Sequence, residues 1–390
     1  MIVFTWRGAM RTALLLAAFP AAGRAQAGCD AAFSDSLAVR EIRALDQVAA
    51  VAPVWDDYAF ARHPLLLVAD STHRGRHPQT PVCAAIWRAG APLETIELAA
   101  RPAFATPLYG MASADPVGPG AIEPGADPTA APPALAAELR ARGVSRAVVL
   151  AVPMDFGRMG RLGEMLAQMQ ASPARMQADL AVHEGFHLHA QFPHWYDQPR
   201  TYAWPAWDRQ PDRMEVRERC YAGSPALAAA FEAERAALLA AFDAVGPDSA
   251  TRDVALGVRH ARSFVELRAA RRRLQDTITV AQGGRRVACA LAEDLMELEE
   301  GSAQWVGHAA TLGAGLVTRP QLRGMYAGAQ PDRWYQTGPL QLWVLDGLLG
   351  SAALRRITAS IARSAGPDGP EGGIFARFEH QTRLLAEAER

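Results

Sequence analysis

Four histidines and two carboxylates fall within the eighteen residues LAVHEGFHLHAQFPHWYD, Leu180 to Asp197. Imidazole and carboxylate are the side chains that hold zinc and similar ions. Within the stretch, His183-Glu184-Gly185-Phe186-His187 sets two imidazoles four residues apart. On a helix, positions i and i+4 lie about 40° apart on one face, so both rings can reach one ion. Glu184 projects beside them, where a carboxylate can serve as general base toward a water that the metal activates. The competing reading of the same residues is a chance pair of surface histidines.

A catalytic zinc site takes three protein ligands and leaves one position open. A third ligand must therefore be found. His189 is two residues beyond His187, about 200° around the helix, and points away. His194 follows Pro193, which disrupts the helix just before it. Both are read as polar residues of the helix end. A carboxylate from a second helix is the alternative, and ELEEGSAQWVGH, Glu297 to His308, offers several. The same acidic run could also be a solvated helix face.

Glu299-Glu300-Gly301-Ser302-Ala303-Gln304-Trp305 resembles the N-E-G-F-A-x-Y stretch of the gluzincin aminopeptidases, in which the Glu before Gly is the third zinc ligand. The resemblance makes Glu300 that ligand, with Glu297, one turn earlier on the same face, as the runner-up. Tyr335-Gln336-Thr337-Gly338, followed by PLQLWVLDGLLG, is similar to the family's Y-x-K-G and its apolar helix. There the tyrosine hydrogen-bonds the developing oxyanion, a role that falls to Tyr335. Of the family's GxMEN strand only an echo is found, GAIEP at Gly120–Pro124, far upstream in a Pro/Gly-rich stretch. The resemblance implies an α+β fold with a zincin-like catalytic core, a Zn2+ cofactor, and hydrolysis of a peptide or protein substrate.

The elements that must position these residues can be read from apolar periodicity. Residues 36–52 have helical spacing, and 65–70, 82–88 and 93–99 are short β-like runs. The stretch 112–135 reads as a long loop, and SRAVVLAVPM, 145–154, as the clearest strand, placed to bind an extended peptide by strand addition. Ser172-Pro173 is a helix start, with an N-cap followed by proline at the first helical position, and that helix carries the histidines. Two Ala-rich amphipathic stretches, 224–244 and 251–275, form a helical hairpin, and further helices span about 287–312 and 338–363. AARRRLQ, 269–275, is read as a solvated face of that hairpin. The outline is a signal peptide over 1–27, a mixed N-terminal lobe over 28–158 and a mainly helical lobe over 159–390.

At 390 residues and a formal net charge of -1, with half its residues hydrophobic, the chain is neither disordered nor marked for nucleic acid. The N-terminus carries Arg7 and Arg11 ahead of TALLLAAFPAA, a run too short to span a bilayer, then the small-residue signature AQA. No later segment is long and apolar enough to be a membrane helix, so export as a soluble protein is expected. Four cysteines without a CxxC spacing then favour two disulfides over a structural zinc knuckle. Cys29 with Cys83 ties down the mature N-terminus, and Cys220 with Cys289 brackets the hairpin. The sum is an exported zinc metallohydrolase, with Glu184 and Tyr335 catalytic and His183, His187 and Glu300 on the metal. Its rivals are a zinc hydrolase acting on a non-peptide amide or ester, and a binding protein that keeps the scaffold without turnover.

Overall fold

A computed structural model describes residues 29–56, 58–69, 82–98, 109–113, 133–154, 172–191, 211–246, 252–282, 285–328, 332–364 and 373–388. The expected signal peptide, His194 and GAIEP lie outside these residues. The chain is a mixed α+β protein, mostly helical with a small sheet. It divides into two compact units, Met1–Asp46 with Ala61–Asp115 and Thr129–Gln177, and Gln47–Phe60 with Pro116–Pro128 and Ala178–Arg390.

The first unit is built on strands β1 (Leu65–Ala69), β2 (Val82–Trp87), β3 (Glu94–Leu98), β4 (Tyr109–Ser113) and β5 (Arg146–Val152), in the spatial order β3-β2-β1-β5-β4. β1 and β5 pair in parallel, and the remaining neighbours are antiparallel. Unbroken apolar runs become central strands: LLLVA of β1 is buried along its whole length, and β5 from its second residue onward. β3 is an edge strand and alternates, with Ile96 and Leu98 buried and Glu94 and Glu97 exposed. Beneath one face, Leu66, Val68, Ile86 and Val149 pack with Leu135 and Leu139 of helix α2 (Pro133–Ala141). Helix α1 (Ser36–Ala49) supplies Asp46, which accepts the Trp87 indole N–H at 3.0 Å, and Glu41, which accepts the Met154 amide at 2.8 and 3.0 Å. Cys29 is joined to Cys83 of β2, as expected.

Two readings need correction here. β5 is paired on both sides, so its backbone groups are already committed and it offers no edge for strand addition. The 112–135 stretch is not loop throughout: β4 runs into it and α2 begins inside it, at Pro133.

The second unit is helical. α3 (Pro173–Phe186) contributes its residues from Ala178 onward and continues as a π-helical turn, His187–Gln191. The predicted hairpin forms from α4 (Pro225–Ala244) and α5 (Val254–Leu274). Ser224 caps the first through the Leu227 amide at 3.2 Å, and Asp253 the second through Leu256 at 2.8 Å. A two-stranded ribbon follows, β6 (Thr279–Gln282) with β7 (Arg285–Ala288). Next come α6 (Cys289–Met296), a further π-helical turn (Glu297–Gly301) and α7 (Ser302–Gly313). α8 (Arg319–Ala327), α9 (Trp334–Leu349), α10 (Ser351–Ser364) and α11 (Ile374–Ala388) complete the order. The expected helix over 338–363 is two helices, broken at Gly350, whose φ of +82° only glycine adopts easily. The Cys220–Cys289 disulfide, also as expected, lies in a core with Tyr221, Phe231, Met296 and Trp334. Among the described residues no helix is long and apolar enough to cross a membrane. Two disulfides fit an oxidising compartment.

Run 269–275 is a solvated face only in part. Ala269, Arg273 and Leu274 are exposed, but Arg271 and Gln275 are buried, because facing helices supply acidic partners for the arginine.

Candidate metal centre

His183 of α3 and His187, the first residue of the π-turn that continues it, project from one face, both buried, with their rings edge-to-face at 4.8 Å and their Nε2 atoms 3.1 Å apart. The opposite side of the helix is packed by aromatic residues. Phe186 meets Trp55 at 4.9 Å and Tyr58 at 5.4 Å, and the Tyr58 hydroxyl donates to the Val182 carbonyl at 3.2 Å. Gly185 allows that approach, since a Cβ there would lie 2.4 Å from the Tyr58 oxygen. The helix is thus held from behind, and the direction of the two imidazoles is fixed by packing.

Where the π-turn begins, a further residue takes control of His187. The side-chain amide nitrogen of Gln191 donates to the Glu299 carbonyl at 3.0 Å and the Ser302 hydroxyl at 2.9 Å. Its oxygen therefore faces His187 and accepts from Nδ1. That assignment puts a ring proton on Nδ1 and turns Nε2 toward His183 and Glu300. A ligating histidine is oriented by its second nitrogen in this way. The Leu298 and Glu299 carbonyls that hold Gln191 belong to the π-turn Glu297–Gly301, a widened helical turn of a kind frequent at functional sites.

Glu300 closes the group. Its Oε2 lies 3.4 Å from His183 Nε2 and 3.6 Å from His187 Nε2. Atoms about 2.0–2.2 Å from a single tetrahedral ion stand about 3.3–3.6 Å from one another. Two edges of the triangle, 3.4 and 3.6 Å, fall in that range, and the third, 3.1 Å, lies just below it. The buried trio His183, His187 and Glu300 could hold a metal ion. The outer oxygen of Glu300 accepts from Arg213, and the Tyr335 hydroxyl donates to Oε2 at 2.6 Å. Glycines permit this meeting of helices: a Cβ on Gly301 would stand 2.8 Å from the Gly338 Cα, and one on Gly338 2.7 Å from the Gly301 Cα. The glycines of the Glu-Gly and Tyr-x-x-Gly stretches thus touch, bringing Tyr335 onto Glu300.

The electrostatics agree with the geometry. Burial alone would lower the pKa of His187, but the hydrogen bond and charge of Glu300, with Glu184 and Glu299 nearby, raise it to about 9. Burial works against the Glu300 carboxylate, yet His183, His187 and Arg213 hold it well below the usual range. Burial, reinforced by the Glu300 charge, pushes the Tyr335 hydroxyl well above its ordinary value, so it keeps its proton and donates. Glu184 is also buried; His187 and Tyr335 feel its charge, and it is not one of the converging trio.

Glu297, the runner-up ligand, is engaged elsewhere. Arg268 grips it with two hydrogen bonds of 2.8 and 2.7 Å, Gln341 donates at 2.8 Å, and the Thr337 hydroxyl donates to it as well. Arg268 also binds Glu234, which pairs with Arg271, which pairs with Glu293. The helical hairpin thus provides the arginines that fix the segment carrying Glu300. The acidic run is no solvated face either: Glu293, Asp294, Glu297, Glu299 and Glu300 are all buried.

His189 is half-buried and lies outside the trio. Gln191, Arg213 and Arg268 escaped sequence reasoning. Gln191 had a readable signal, since it stands four residues after His187 on the same helical face. Arg213 and Arg268 had none, because their partners are distant in sequence. Comparison with protein-family models, curated proteins and solved structures returns no match, so the site stands on its own geometry.

Proposed function

We propose that the chain is an exported zinc-dependent metallohydrolase of gluzincin type, with a zincin-like core, acting on peptide bonds. One observation carries the reading: of two glutamates a turn apart, the one that meets the two histidines is Glu300, the residue the gluzincin resemblance singles out. Bound zinc at such a site supplies a Lewis acid that polarises the scissile carbonyl and makes water a nucleophile near neutral pH.

The chain's own residues supply the rest. His183, His187 and Glu300 form a three-sided donor set, which leaves one side for the substrate. Glu184 takes the proton of the attacking water and passes it to the leaving amine. Tyr335, protonated and lodged beside the trio, donates to the oxygen on which negative charge develops. Gln191 keeps His187 in the tautomer that presents Nε2. The two disulfides and the N-terminal leader pattern support export.

A peptide-library digest with and without chelator tests the reading. The wild type should cleave, the chelated protein should not, and added zinc should restore cleavage. Glu184→Gln should keep its zinc and lose turnover by a factor of about 100 to 10,000. Turnover at the wild-type rate in Glu184→Gln would remove the general-base assignment.

A further inference from the structure

The Glu300 carboxylate has two oxygens, and only Oε2 faces the histidine nitrogens. The other is held by Arg213. This arginine is not a loose surface side chain. It stands in a short turn, Arg213–Glu215, capped by Asp212, whose Oδ1 accepts the Met214 and Glu215 amides at 2.9 and 3.0 Å. The turn is tied to β6 from both ends: the Asp212 amide donates to the Ala281 carbonyl at 2.8 Å, and Glu215 accepts the Ala281 amide at 3.0 Å. Glu215 also receives Arg286 of β7 at 2.9 Å. The adjoining π-turn, Val216–Tyr221, brings Arg217 onto both oxygens of Asp332, just before the helix that bears Tyr335. Arg213 itself reaches Tyr335 as well as Glu300.

We infer that Arg213 is a positioning residue: by occupying the outer oxygen of Glu300 it makes that glutamate a one-oxygen ligand and keeps a coordination position open for substrate. The inference rests on reading His183, His187 and Glu300 as a metal site. A carboxylate can bind an ion through one oxygen or two, and a free Glu300 could turn its second oxygen inward and fill the position that catalysis needs. A guanidinium suits the task because its planar fork can serve Glu300 and Tyr335 together, whereas an ammonium is a single point charge. The ribbon β6–β7, which carries no ligand, acts as the platform for this clamp.

Zinc titration of the full chain against a chromophoric chelator, together with the visible spectrum of the cobalt(II)-substituted protein, tests the inference. Wild type should bind one zinc and show the intense absorption of a four-coordinate cobalt ion. Arg213→Met should bind zinc about 10- to 100-fold more weakly. Its cobalt spectrum should fall toward the weaker bands of a five-coordinate ion. Arg213→Lys should fold and recover part of the affinity but not the four-coordinate spectrum. Wild-type affinity and spectrum in Arg213→Met, or full recovery of both in Arg213→Lys, would overturn the role of the fork while leaving the metal site standing. A wild-type protein that binds neither zinc nor cobalt would overturn the metal site itself.

Discussion

Glu297 and Glu300 belong to the same widened helical turn, are both almost fully buried, and are both held ionised, yet their surroundings differ in kind. Around Glu297, fixed donors meet both oxygens: the Arg268 fork, Thr337 and Gln341. Around Glu300, the Arg213 guanidinium meets only the outer oxygen; the inner one takes the Tyr335 hydroxyl and faces the Nε2 atoms of His183 and His187. A carboxylate whose charge is wholly matched by protein is a structural element. One that shares a buried space with the Nε2 atoms of two histidines belongs to a group that could hold a metal ion. The lesson is that burial and a lowered pKa do not separate the two; the nature of the partners does.

The largest effect that can break this comparison is on stability. Glu297→Gln leaves Arg268 with Glu234 as its remaining acidic partner in a fully buried space, and removing one member of a buried ion network costs about 3–5 kcal/mol. Denaturant unfolding should show a loss of that order with the zinc content unchanged. A neutral Glu297→Gln would mean that the hairpin arginines do not fix the ligand segment.

Next in size is Tyr335. As an oxyanion donor it acts in the transition state, so Tyr335→Phe should lower kcat about a hundredfold with KM and zinc content nearly unchanged. Because its hydroxyl also lies on Glu300, the opposite split, weakened zinc with kcat held, would reassign it to holding the ligand.

A third buried carboxylate sharpens the contrast. Glu41, in the first unit, accepts the Met154 amide, and burial, only partly offset by that hydrogen bond and by Arg40, pushes its pKa up to about 7. The folded protein therefore favours protonated Glu41 more than the unfolded chain does. That contribution is fully present below about pH 4.5 and is lost as pH rises through about 7. Glu41→Gln should gain on the wild type by on the order of 3 kcal/mol between pH 4 and pH 8. Parallel stability curves for the two proteins would contradict this.

Much of this was legible in the sequence, for identifiable reasons. The histidine helix announced itself through Ser172-Pro173, the hairpin through its Ala-rich periodicity, and the central strands through runs such as LLLVA. Both disulfide pairings followed from what each bridge would tie together. β4, the ribbon β6–β7, α8 and α11 went unread. The ribbon strands are four residues each, too short for a period to register, and β4 follows a Pro- and Ala-rich stretch. Burial of Arg268 and Arg271 could not be read because it depends on Glu234 and Glu293, 34 and 22 residues away from the arginines they meet. Local charge runs resemble solvated faces until their partners are known. The same limit hid Arg213, whose partner Glu300 is 87 residues distant.

The most direct test of the central claim is the zinc-to-protein ratio of the purified wild type, Glu300→Ala and Glu297→Gln, measured by elemental analysis after dialysis. The account predicts one zinc per chain in the wild type and in Glu297→Gln, and almost none in Glu300→Ala. Zinc retained in Glu300→Ala, or lost from a folded Glu297→Gln, would contradict it.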